Sequence, residues 1–184
     1  MKHKQLKLED PKRLEELNPL KTLHRLGIEE NHVLCDVGAG SGIFTVAAAT
    51  MTKSTVFALE VDKEMLNLIE EKAKQNDLTN IRPIEVRDDR YDIDNDSVDI
   101  VLLVTVLHEI DNKAAMLREI NRILKAEGKF AVIEFHKGET PMGPPMTLRL
   151  DKTEVEAIAG KNGFAKIDNF DLGENMYCLV FKKN

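Results

Sequence analysis

Residues 32–42 read HVLCDVGAGSG. The first half is a compact apolar run suited to a buried strand, and the second half is a glycine-rich turn. Ile43–Met51, made of small and apolar residues, follows as a helix. Strand, tight turn and helix in that order open a strand–helix–strand unit. The alternation then continues. Thr55–Leu59 reads as a strand, Lys63–Gln75 as a helix with Met65, Leu66, Ile69 and Ala73 on one face, and Ile81–Val86 as a third strand. Asp99–Leu107 (DIVLLVTVL) is nearly all apolar, as a strand covered on both faces requires. Lys113–Leu124 reads as a helix stopped by Gly128, and Lys129–Phe135 as the next strand. This order from residue 32 to 135 predicts an α/β architecture: a parallel sheet with helices on both faces and right-handed crossovers.

Outside that stretch the punctuation changes. Asp10-Pro11 and Asn18-Pro19 each pair an N-cap with proline at the first helical position. They predict two short helices, with Leu14 and Leu17 on one face and Leu20, Leu23 and Leu26 following at spacing three, ended by Gly27. At the other end Asp151 and Glu154 form a capping box for a helix carrying Val155, Ile158 and Ala159 inward. Ala165–Phe170 and Met176–Lys182 are separated only by a short segment with Gly173, which predicts a C-terminal antiparallel hairpin. The chain is expected to form one domain over 1–184. Residues 1–30 make a helical cover, 32–135 a ligand-binding core, 136–150 a lid or connecting loop, and 151–184 a helix and hairpin. The loop region (FHKGETPMGPPMTLRL, 135–150) holds three prolines, and Met142 and Met146 offer an adaptable apolar wall.

With 184 residues, 42% of them hydrophobic, and a net charge of −6, the chain can bury a core and is not a disordered tail. A pI near 5.5 with scattered basic residues speaks against a nucleic-acid surface. No apolar run is long enough to span a bilayer. MKHKQLKLED at the start has no apolar signal region, so a cytoplasmic location is expected. Cys35 and Cys178 sit far apart in strand-like runs, which suits buried thiols rather than a disulfide framework or a metal cluster.

The glycines fall at 38, 40 and 42, with Ile at 43, so the dinucleotide spacing Gly-x-Gly-x-x-Gly is not met. Asp36, just ahead of the turn, is poor company for a diphosphate and suits a ligand with a positive end. Glu60, closing the second strand, is placed for a carboxylate that grips both hydroxyls of a ribose. Asp62 is better placed to cap the following helix. Asp88 and Asp89 follow the third strand. A carboxylate there can accept from an exocyclic amine such as adenine N6, or belong to a solvated acidic loop with Asp92, Asp94 and Asp96.

The order Asp-x-Gly-x-Gly-x-Gly at 36–42, Glu60 and then Asp88 resembles class I S-adenosylmethionine-dependent methyltransferases. Asn95–Val101 (NDSVDIV), followed by Leu107-His108-Glu109-Ile110, is similar to their small-molecule branch, which includes the ubiquinone/menaquinone-type enzymes. The resemblance implies a Rossmann-like, doubly wound, seven-stranded and mostly parallel sheet whose last strand is antiparallel. It implies S-adenosylmethionine as cofactor and S-adenosylhomocysteine as product. Asp36, Gly38, Ala39, Gly40, Ser41 and Gly42 would hold the methionine end and Glu60 the ribose. Asp88, with Asp89 beside it, would take the adenine amine, and Val61 and Met65 would flank the adenine. Val104 and Thr105 would face the transferable methyl. Methyl transfer to a small-molecule acceptor by in-line displacement needs no enzyme nucleophile, and no Gly-x-Ser-x-Gly elbow or metal-spaced set is present. His108 is either a general base or a wall of the pocket; His136 is a second candidate base, and Glu134 a carboxylate at the core edge. His3, His24 and His32 are expected at the surface. Two rival readings are a nicotinamide-dependent oxidoreductase, which the glycine spacing disfavours, and a non-catalytic module that binds the same cofactor.

Overall fold

A computed structural model describes residues 2–87 and 90–184, with side chains from Gln5 onward. Its elements are α1 Lys2–Leu8, α2 Pro11–Leu17, α3 Pro19–Leu26, β1 Leu34–Val37, α4 Ile43–Met51, β2 Val56–Glu60, α5 Lys63–Gln75 and β3 Ile81–Glu85. There follow β4 Val98–Val104, α6 Lys113–Ile123, β5 Leu124–Phe135, α7 Lys152–Lys161, β6 Phe164–Leu172 and β7 Met176–Lys183. Sheet order is β3-β2-β1-β4-β5-β7-β6. The strands β1 to β5 pair in parallel, and β7 runs antiparallel to both β5 and β6. The seven-stranded, Rossmann-like expectation is met.

Period-two alternation divides the core between the two faces of the sheet. Cys35, Val37, Val101, Leu103, Phe130 and Val132 face α6 and α7, meeting Leu117, Ile120, Val155 and Ala159. Leu34, Ile100, Leu102, Ala131 and Ile133 face the other way, meeting Leu17, Leu23 and Leu26 of the N-terminal helices and Phe44 and Ala48 of α4. Each buried Leu, Ile, Val or Phe contributes roughly 1.5–3 kcal/mol. The hairpin's β7 lies between β5 and β6, so Cys178 and Tyr177 are buried in mid-sheet.

Four features differ from the sequence expectation. The N-terminal segment has three helices, with α1 ahead of the two that proline marks. Within α2 and α3, Arg13 and Leu17 point inward, whereas Leu20 is 54% exposed. The apolar run after Asp99 leaves the sheet at Val104, because Thr105 takes φ +56°; Leu107 then re-enters the core from a 3-10 turn, Leu107–Glu109. Helix α6 stops at Ile123 and Leu124 already pairs with Val98. Gly128 therefore lies within β5, where the register shifts between Val98/Leu124 and Ile100/Lys129.

Candidate functional site

Strand order reverses at β1, whose neighbours are β2 and β4. In open α/β sheets such a switch point leaves a crevice outside the carboxyl ends of the strands. Val37 is level with Leu59 on one side and Leu103 on the other. One step further bring Gly38, Glu60 and Val104 to the mouth of that crevice. A cleft of about 520 Å3 opens there, with Gly38, Gly40, Glu60, Val61, Val104 and Thr105 among its walls.

The turn's shape requires glycine at its two cleft-facing positions. Gly38 has φ +73°, and a Cβ there would come 2.5 Å from Val106 Cγ2. Gly40 has φ +53°, and its Cβ would point at Leu8. Side chains rarely adopt that left-handed backbone. The turn's amides are engaged: Gly38 and Ala39 donate to Leu59 O on β2, and Gly42 to Ala39 O. Ser41 Oγ is buried without a hydrogen-bond partner among the described residues.

Glu60 ties the site together. Its Oε2 accepts from Gly40 N at 2.8 Å, and its Oε1 accepts from Val61 N at 2.9 Å and Asp62 N at 3.0 Å. A carboxylate has about four acceptor positions, and the described donors fill three of them. Asp62 caps α5 through Glu64 N, the division of labour expected from the sequence. Asp36 is 2% exposed and accepts from Thr45 Oγ1 at 2.7 Å. Burial pushes its carboxyl up to about 6; the Thr45 hydroxyl opposes this and the nearby Glu60 charge adds to it.

Other residues chosen from the sequence fall elsewhere. Val61 is 70% exposed at the rim, but Met65 is fully buried under α5 and does not line the cleft. His108 is not on the cleft wall either. Its Nδ1 lies 2.8 Å from Glu134 Oε2, and its backbone N–H donates to Glu134 Oε1 at 3.2 Å, so β5 fastens the turn that follows β4. That turn carries Glu109, Ile110 and Asn112, which do line the cleft. His136 approaches Asp171 Oδ1 at 3.3 Å near the hairpin. Asp88 and Asp89 lie outside the described residues. Among the described residues no group of three His, Cys, Asp or Glu could hold a metal ion, and no helix is long and apolar enough to cross a membrane.

Sequence reading missed several residues. Leu8 and Tyr91 line the cleft. Arg122 holds the segment that presents Tyr91, donating to Tyr91 O, Ile93 O and Asn95 Oδ1 at 2.7–2.9 Å while pairing with Glu119. Its position on α6 reads as an ordinary exposed helix residue, so no local pattern announces it. Arg149 is the counterpart in the 136–150 loop. It is 6% exposed and donates to the carbonyls of His136, Gly138, Met142 and Pro144 and to Thr140 Oγ1. A guanidinium's planar fork suits such a staple. In Arg149→Ala, hydrogen exchange of loop amides 137–148 should rise roughly tenfold or more while the β1–β4 amides stay protected. An unchanged loop would show that the prolines alone fix it.

Comparison with known proteins agrees with this fold. The family model described as a methyltransferase domain matches residues 35–132, more than half of the chain. The chain belongs to that methyltransferase family. The crystal structure of a SAM dependent methyltransferase from Aquifex aeolicus superposes with a TM-score of 0.91 at 27% identity, covering 97% of this chain and 96% of that one. A ubiquinone/menaquinone biosynthesis C-methyltransferase of Marinomonas sp. is 23% identical over 66% of this chain and 49% of its own length. A demethylmenaquinone methyltransferase of Geobacillus sp. is 25% identical over 61% of this chain and 49% of its own length. The chain thus spans about half the length of the curated relatives it matches. The class I, small-molecule resemblance read from the motifs is borne out.

Proposed function

We propose that the chain is an S-adenosylmethionine-dependent methyltransferase that moves a methyl group to a small organic acceptor. The observation that carries this is the convergence of Gly38, Gly40, Glu60, Val61, Val104 and Thr105 on one cleft. Its volume of about 520 Å3 and largely apolar walls suit a nucleoside-sized ligand. The remaining acceptor position on Glu60 fits a ribose hydroxyl, and the glycine turn leaves room beside it that a Cβ would fill. Bound cofactor supplies an already activated sulfonium methyl.

The chain's own part is then to bind, orient and shield. Glu60 and Val61 hold the nucleoside, and the turn with Asp36 holds the amino-acid end. Thr105, in a backbone conformation that β-branched residues seldom adopt, is held there by its N–H bond to Ile133 O at 2.7 Å. It fronts the position where an acceptor must line up for in-line displacement. His108, tied to Glu134, shapes the wall through the turn it anchors rather than moving a proton.

S-adenosylhomocysteine should raise the melting temperature and NAD should not; the reverse would favour the oxidoreductase. Methyl release from labelled cofactor with an acceptor panel separates the enzyme from a non-catalytic binder. Asp36 adds a pH signature. Its folded value of about 6 is above the ordinary 3.8, so the folded state holds the proton more tightly. The associated stability is fullest below 3.8 and is lost as pH rises through about 6. A cationic ligand group needs the ionised form, so affinity should run the other way. Calorimetry should find S-adenosylhomocysteine bound about tenfold more tightly at pH 7 than at pH 5, and flat in Asp36→Asn. A flat wild-type profile would remove Asp36 from the binding role.

A further inference from the structure

The cleft follows the strand ends from the glycine turn past Glu60 toward β3, where its walls are Val86, Tyr91 and Met116. Val86, just after β3, donates its N–H to Glu60 O at 3.0 Å, so this end begins directly beside Glu60. With the amino-acid end at the turn and the ribose on Glu60, a bound nucleoside puts its base here.

Tyr91 reaches the cleft from the segment that joins β3 to β4. Within residues 91–96 only Tyr91 and Ile93, each 7% exposed, are buried. So little buried surface fixes a loop only weakly. What fixes this one is α6. Glu119 Oε2 accepts from Tyr91 N at 3.0 Å, and Arg122 Nη2 donates to Tyr91 O at 2.9 Å. Arg122 Nη1 donates to Ile93 O at 2.8 Å and to Asn95 Oδ1 at 2.7 Å, while its Nε and Nη2 hold the Glu119 carboxylate at 2.7–3.1 Å. Further along, Asp96 N and Ser97 N donate to Arg122 O and Ile123 O at the end of α6, each at 2.9 Å. The Arg122 hydrogen bond holds the Glu119 carboxyl below the ordinary carboxylate range, and the same bond pushes the guanidinium up. Met116, Glu119 and Arg122 follow one another at spacing three. One stripe of α6 therefore supplies both a wall of the cleft and the clamp on the neighbouring wall.

We propose that Arg122 and Glu119 are positioning residues for the nucleobase end of the ligand, acting through Tyr91, and that Tyr91 meets the base with its ring. This rests on the S-adenosylmethionine reading above. Among the described residues neither Arg122 nor Glu119 lines the cleft, so their effect passes through the residue they hold. The Tyr91 N–H and C=O are both engaged by the clamp, which leaves the aromatic ring to face a planar base. A ring supports a base only at contact distance, and the clamp sets that distance from a helix packed on the core. Loosening it frees Tyr91 to swing away, while Glu60 and the glycine turn, fixed by other strands, keep their geometry.

Isothermal titration of S-adenosylhomocysteine on the full chain tests this as a double-variant cycle. Tyr91→Ala should weaken binding roughly 10- to 100-fold, and Tyr91→Phe should stay within about threefold of wild type. Arg122→Gln should weaken it roughly 5- to 20-fold. Added to Tyr91→Ala, Arg122→Gln should cost no more than about twofold further, because the clamp then has no ring left to position. A clamp that merely stabilises the fold predicts losses that multiply, and that result would overturn the assignment. Unchanged affinity in Arg122→Gln, or a Tyr91→Phe loss as large as that of Tyr91→Ala, would overturn it too. If Arg122→Gln does not fold, Glu119→Gln carries the same cycle, since it keeps an acceptor for the Tyr91 N–H and weakens only the grip on Arg122. A wild-type chain that does not bind S-adenosylhomocysteine overturns the cofactor reading and this assignment with it; wild-type binding with multiplying losses overturns the assignment alone.

Discussion

His108→Ala should lose about 3–5 kcal/mol of stability in urea unfolding at neutral pH, the range for removing one partner of a buried charged pair. The Glu134 side chain is 1% exposed and that of His108 is 4% exposed, so water cannot readily replace the lost imidazole. The 3-10 turn after β4 would also lose its side-chain anchor to β5. Burial by itself pushes the imidazole's pKa down; the Glu134 hydrogen bond and charge, with Glu109 adding, overcome this and the result is upward. A folded value above the ordinary 6.5 means that the pairing contribution is fully present below about pH 6.5. It is lost as pH rises through the raised folded value. The wild-type advantage over His108→Ala should therefore narrow at alkaline pH. A loss under about 1 kcal/mol at pH 6 would show that the pair does not hold the turn, and that His108 is free for other work.

Glu60→Ala should be the most damaging single change to ligand binding. The substitution removes the acceptor of three backbone N–H groups at once. Val61 is exposed, so water can reach its N–H, whereas Gly40 sits half-buried at the base of the turn. One stranded donor costs about 1–3 kcal/mol, and the glycine turn loses its tie to β2. Loss of a ribose contact on top of that should weaken S-adenosylhomocysteine at least about 100-fold, measured by calorimetry. Glu60→Gln keeps one carbonyl acceptor and should fall between. Destabilisation without loss of affinity would make Glu60 a staple of the turn and nothing more.

Both residues were chosen from the sequence, but their roles were legible to different degrees. Glu60 followed from its position at the end of a strand after a glycine turn, and a local pattern of that kind survives folding. What the pattern does not contain is that Glu60's own backbone neighbours and Gly40 already occupy most of its oxygens. His108 was legible as a titratable group at a strand end. Its direction was not, because that depends on Glu134, 26 residues later on another strand. Likewise Leu14 and Leu17 read as one face, with Leu20, Leu23 and Leu26 following at spacing three; Leu17, Leu23 and Leu26 are buried, yet Arg13 also turns inward and Leu20 is exposed. Short helices of seven or eight residues rotate to suit the surface they cover, so periodicity alone does not set their phase.

The sequence by itself determined the strand and helix alternation, the proline and aspartate caps, the C-terminal hairpin and the turn conformation at Gly38–Gly42. All of these are set by side chains a few residues apart, through backbone sterics and local hydrogen bonds. Tertiary structure alone decided that β7 inserts between β5 and β6, that Arg13 reaches Thr105 across 92 residues, and that Leu8 comes to lie against Gly40 of the glycine turn. Those contacts depend on which surfaces meet when the core is buried, and burial is non-directional: it rewards apolar area removed from water without naming the polar partners that end up facing each other.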